Sequence, residues 1–207
     1  MSERVEHYSE ICEELDFEEL TVLVVAGASV EDVRAVVLAE AGLGADDDVN
    51  DDEVSFYGFV DVDGGVLAME HTGYADPTVA ALLRLSAGGR SAAVVRDNIQ
   101  AHLRFGAARD GALLFDDDEF TFIDAAERSR VPDELRPLFD LAWVDVDSDD
   151  EVDDDEGNPI AVALAMAEAV TGVVLTADDV ERVADQPRSE WHRVRIARYA
   201  AEVDGER

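Results

Sequence analysis

Apolar and polar positions change period several times along this chain, and each change marks an element. Residues 21–25 (TVLVV) are an unbroken, mostly β-branched run, the pattern of a buried strand. Ser29-Val30-Glu31-Asp32 reads as a capping box, and Val30, Val33 and Val37 recur at helical spacing until Gly42 stops the helix. Val54, Phe56, Gly58 and Val60 then alternate with Ser55, Tyr57, Phe59 and Asp61, and Asp63-Gly64-Gly65 turns the chain into a return strand over 66–71. Asp76-Pro77, as N-cap and first-turn proline, predicts a second helix that carries Val79, Leu82 and Leu83 inward until Gly88. Strands follow over 91–95 and through Leu103, Phe105 and Ala107, with Asp110-Gly111 turning into 112–115.

The second half reads as helical. A helix near Pro132 carries Leu135, Leu138, Phe139 and Ala142, and further helical segments are expected over 159–170, 176–184 and 187 to about 203. In the last of these, Ile196, Tyr199, Ala200 and Val203 have the spacing of a packing stripe. The chain thus divides into an acidic lead-in (1–19) with a short helix around Ile11 and Leu15, a core (20–144), an acidic linker (145–158) and a C-terminal helical segment packing on the core (159–207). This order predicts an α+β fold: an antiparallel or mixed sheet of about five to six strands with helices on one face, plus C-terminal helices. Its first six elements have the order of a split βαβ, ferredoxin-like unit, an order that fixes no function.

Composition narrows the chemistry. The 207 residues carry 50 Asp and Glu against 16 cationic residues, a formal net charge of -34, and every cation is arginine. Such a field repels nucleic acid and anionic membranes and attracts basic partners or divalent cations. The lack of lysine removes Schiff-base, Walker-A and lysine-base chemistry. A saline cytoplasm or a GC-rich genome would produce the same acidic, lysine-free composition without any partner. The start of the chain has no signal-like apolar stretch, the longest apolar run (21–28) is short of a membrane span, and Cys12 stands alone, so a cytoplasmic protein without an internal disulfide is expected.

Three segments resemble a family of uncharacterised, mainly actinobacterial proteins known only as a domain of unknown function. They are VLAMEHTGY (66–74) continuing through LSAGGRSAAV (85–94), residues 98–118 with the Asp110-Gly111 hairpin ending in Phe115-Asp116, and AVALAMAE (161–168) through VTGV (170–173). Leu67 stands where such proteins tend to have tryptophan, and Gly89 where threonine precedes the arginine. The resemblance implies one folded unit and brings no reaction with it.

Candidate chemistry lies in two places. Residues 145–156 can be laid on a twelve-residue EF-hand loop, which puts Asp145, Asp147, Asp149, Asp153 and Glu156 at oxygen-ligand positions for Ca²⁺. Asp150 occupies the position that needs glycine, and a solvated linker accounts for the same residues. Glu70, Arg90, Arg96, Asn98 and Arg104 fall in the central sheet region and could line an anion or small-ligand pocket, or pair with neighbouring acids on the surface. Asp61-Val62-Asp63-Gly64 has a partial likeness to a phosphatase nucleophile strand, but Gly65 and the absence of lysine favour a hairpin turn. His7, His71, His102 and His192 have no metal-ligand spacing, and no cofactor is implied. The expectation is a non-enzymatic interaction module, like an immunity protein or a nucleic-acid mimic. It would engage a basic protein through acidic loops at 45–53, 116–119 and 145–156. The alternative is a small-ligand module or enzyme with an Arg/Glu-lined pocket.

Overall fold

The computed structural model describes residues 2–15, 19–44, 47–50, 53–98, 102–123, 125–143 and 158–196. Within them the apolar run becomes β1 (Thr21–Ala26), flanked by two antiparallel neighbours, β3 (Gly65–Glu70) and β4 (Ser91–Arg96). β2 (Val54–Val62) lies beyond β3, and α2 (Val30–Ala41) and α3 (Val79–Leu85) connect the strands. The order β4-β1-β3-β2 is that of a split βαβ unit. β5 (Arg104–Arg109) and β6 (Ala112–Asp117) extend the sheet past β4, and β7 (His192–Arg195) closes the other edge against β2. The fold is therefore α+β on one antiparallel seven-stranded sheet, slightly larger than the sequence pattern predicts.

Hairpin chemistry behaves as expected. Gly64 turns β2 into β3 at φ +83°, and Asp110 and Gly111 turn β5 into β6 with φ values of 50° and 75°. Two consecutive left-handed residues match the twist of the strands they join.

Helices cover both faces of the sheet: α2 and α3 lie on one, and the expected C-terminal helices are among those on the other. The cause is visible in β1: Leu23 and Val25 point to one side, Val22 and Val24 to the other, and all are buried. α2 and α3 pack on the Leu23 side through Val33, Val37, Leu82 and Leu85. The short α4 (Ala125–Arg128) precedes α5 (Arg136–Phe139), and the opposite face is covered by α1 (Glu3–Leu15), α5, α6 (Pro159–Thr171) and α7 (Ala177–Ala184). α6 is apolar nearly all round, as a helix enclosed by sheet and neighbours must be. The acidic lead-in is itself part of this layer. α1 buries Val5, Tyr8, Ile11 and Cys12, and it is tied down by Arg4 to Glu168 (2.6 Å) and by Tyr8, whose hydroxyl accepts from the Leu175 amide (3.2 Å).

Two boundaries differ from expectation. The N-cap of α3 is Thr78, whose hydroxyl accepts from the Ala81 amide (3.2 Å), because Asp76 turns its carboxylate to arginines instead. The segment from 187 is not a helix over its described part. A 3-10 turn at Arg188–Glu190 leads into β7, where edge pairing with β2 outweighs the helical pattern and buries Val194. Tyr199, Ala200 and Val203 lie outside the described residues.

Candidate functional site

Strand register gathers polar residues into one row at one end of the sheet. Across the strands run His192, Tyr57, Glu70, Thr21, Arg96 and Arg104, each directly opposite the next and all on the α2–α3 face. Glu70 ends a strand otherwise wholly apolar from Val66 and is fully buried. Thr21 Oγ1 donates to its Oε2 (3.2 Å), while the Thr72 amide (2.9 Å) and the Ser55 and Thr72 hydroxyls donate to Oε1. A buried carboxylate needs such donors, and here all of them are neutral.

The arginine half of the row is locked by acids. Arg104, 5% exposed, donates from Nε (2.9 Å) and Nη2 (2.7 Å) to Asp116 Oδ1, and from Nη1 to Asp76 and to the Pro77 carbonyl (2.7 Å). Arg96 lies looser, 3.7 Å from Asp76 and 3.5 Å from Asp118. Burial would lower the Arg104 pKa, but Asp76 and Asp116 outweigh it and the value is raised, so the guanidinium stays charged. Burial also raises Asp116, and Arg104 offsets this only in part because the Asp118 and Asp76 carboxylates crowd the same place. Asn98, 5% exposed, accepts from the His102 amide (3.2 Å) and supports the loop at Gly73. There a Cβ would fall 1.9 Å from the Asp97 carbonyl. Glu70, Arg96, Asn98 and Arg104 thus gather at one end of the molecule. Arg90 does not: it sits at the other end of β4, 3.6 Å from Asp32, with its Nε on the Ala87 carbonyl.

Beside Thr72, one of the residues whose hydroxyls bind Glu70, opens a pocket of about 510 Å³, lined on the polar side by Ser55, Thr72, His71, Gln186 and Arg188. Val54, Phe56, Ala184 and Trp191 form its apolar wall. The Trp191 and His71 rings lie 4.2 Å apart and 30° from parallel. Shielding from water lowers the His71 pKa, Glu70 opposes the shift and Arg188 adds to it, which leaves a neutral imidazole at neutral pH. Gly58 makes room for the wall, since a Cβ there would meet Val183, Gln186 and Trp191 at 2.8–3.0 Å.

The other sequence candidates fall differently. Residues 145–156, with Asp145, Asp147, Asp149, Asp153 and Glu156, lie outside the described residues. No cluster of three or more His, Cys, Asp or Glu side chains able to hold a metal occurs among the described residues. Asp61 and Asp63 belong to the β2–β3 hairpin and are exposed. Thr21, Ser55, Tyr57 and Thr72 were not site candidates in the sequence, while Asp76 was read as a helix cap and Asp116 as the start of an acidic partner-binding loop, and both instead hold Arg104. They are distant along the chain, and the available signal was the polar strand ends at Thr21, Glu70, Arg96 and Arg104.

The class defined by this geometry is an α+β protein on a split βαβ sheet, with a buried polar row and an adjoining pocket. The chain belongs to DUF6461, a family of unknown function, which it matches over residues 17–184. α1, Arg188, Trp191 and β7 lie outside the matched range. Neither the curated proteins nor the solved structures contain a match to it. Among the described residues, no helix is long and apolar enough to cross a membrane.

Proposed function

We propose that this protein is a non-catalytic interaction module that engages a basic protein partner through its carboxylate-rich surface. The observation that carries this reading is the outer face of α1. Glu3, Glu6, Glu10, Glu13 and Glu14 form one exposed helical stripe, and the single arginine of the helix, Arg4, is bound to Glu168. Like charges at such spacings weaken a helix. The stripe is therefore a cost to α1, which is held in place by its buried face. A rigid carboxylate face accelerates encounter with a basic surface and sets specificity more than it adds affinity. The row that could have formed an anion pocket supports the same reading, because its arginines are already occupied by Asp76, Asp116 and Asp118.

The test is capture from the native lysate at low salt by the wild-type protein and by a variant with the five α1 glutamates changed to glutamine. The expected result is a basic protein held by the wild type, released by added salt, and not retained by the variant. If the wild type holds no basic protein, or the variant holds it equally well, the reading fails. A melting series in salt separates the rival cause of acidity. The expected outcome is a stable fold at low salt, and a midpoint that climbs steadily to molar salt would instead mark self-repulsion awaiting screening.

A further inference from the structure

Glu70 brings a carboxylate into the interior with no ion-pair partner among the described residues, its donors being the hydroxyls of Thr21, Ser55 and Thr72 and the Thr72 amide. Ser55 and Thr72 both line the 510 Å³ pocket, and of the two only Thr72 is partly exposed. A hydroxyl has one hydrogen, and both spend it on Glu70. What Thr72 can offer a ligand is therefore an oxygen lone pair, beside the buried Glu70 carboxyl group. That arrangement selects a hydrogen-bond donor that is itself cationic. The walls agree with this choice, since Trp191 and Phe56 present aromatic surface suited to a cation or an apolar side chain.

The mouth of the pocket has the opposite character. Arg188 is exposed, is the single charged residue of the lining if His71 is neutral, and forms no ion pair with a described residue. A simple amine would be repelled there, whereas a carboxylate would find a fork of donors. We infer that this pocket binds a free amino acid with an apolar or aromatic side chain, its ammonium group at Thr72, its carboxylate at Arg188 and its side chain against Val54, Phe56 and Trp191. No residue of the α1 stripe lines the site, and neither proposal depends on the other.

The experiment is calorimetric titration of the full chain with the apolar and aromatic amino acids. The best binder is then compared with its decarboxylated amine and its deaminated acid. Binding of the amino acid is expected, with each single-charge analogue weaker by at least about tenfold. The Arg188→Ala variant, altered at an exposed residue, should lose about tenfold for the amino acid and nothing for the amine. Thr72→Val, checked for folding by circular dichroism, should weaken the amino acid and the amine alike. The inference is overturned if no amino acid binds at millimolar concentration, if the deaminated acid binds as well as the amino acid, or if Arg188→Ala changes nothing.

Discussion

Tyr57 stands directly opposite Glu70 across the β2–β3 pair, so a buried phenol without a hydrogen-bond partner among the described residues lies beside a carboxylate that has four donors. Burial pushes the Tyr57 pKa well above its usual value, and Glu70 and Asp76 push it further, so the phenol stays protonated and cannot relieve itself by ionising. Removing an unsatisfied buried hydroxyl recovers its desolvation cost, about 1 kcal/mol or more. Tyr57→Phe should therefore leave urea stability unchanged or raise it. A loss of about 1 kcal/mol would mean that the hydroxyl bonds to something outside the described residues.

Arg104 is the residue on which the polar row depends most. Its replacement by alanine strands Asp76 and Asp116 in a shielded place, and a broken buried pair costs about 3–5 kcal/mol. Lysine, a point charge without the planar fork, should restore only part of this. Chemical denaturation of the two variants checks both statements. Equal stability of Arg104→Ala and wild type would show that the cluster is solvated and contributes little.

How much of this was legible from the sequence depends on distance along the chain. The split βαβ order and the hairpin turns were legible, because Asp63-Gly64 and Asp110-Gly111 act over two residues and β-branched runs announce themselves. Glu70, Arg96 and Arg104 stood out as polar groups on apolar strands, with Asn98 close by in sequence, and all four lie toward one end of the sheet. Their partners did not stand out as partners, since Arg104 meets Asp116 only through the β5–β6 register and Asp76 only through the approach of the loop before α3. Asp76-Pro77 looked like a helix start, and a tertiary ion pair outcompeted the local cap. The pocket was illegible for the same reason. Trp191 reaches His71 because residues 192–195 form an edge strand, an outcome that helical spacing in the same segment argued against.

The start of α7 carries a pH-dependent contribution. Burial alone would raise the Asp179 pKa, but hydrogen bonds from the Thr176 hydroxyl and amide, together with Arg182, outweigh it and hold the carboxyl below its usual 3.8. A depressed carboxylate stabilises the fold above its unfolded pKa and stops doing so as the pH falls through the lower, folded value. Thr176→Ala should cost about 1 kcal/mol at neutral pH and progressively less below pH 3.8. Denaturation midpoints at neutral and acid pH measure the difference, and an equal loss at both would rule out the carboxylate's part in the cap.

Cys12 gives an independent reading of α1. Burial, with Glu13 adding to it, pushes the thiol up to about 12, so at neutral pH almost no thiolate is available. A thiol-specific reagent should label the native protein slowly and the urea-unfolded protein at once. Rapid labelling without denaturant would show that α1 leaves α6 readily, and the glutamate stripe would then not be held rigidly.

β7 has a consequence at the edge of the sheet. It pairs with only the first part of β2, Val54 to Tyr57, and is pinned by the Leu43 amide to the Arg193 carbonyl (3.0 Å) and the Ile196 amide to the Glu53 carbonyl (2.9 Å). Without those four residues the start of β2 would be a bare rim of unsatisfied amides and carbonyls, with Tyr57 and Phe59 close behind. Such a rim recruits strands from other molecules. β7 thus acts as a guard strand, and if it peeled away while the rest stayed folded, copies of the chain could join rim to rim.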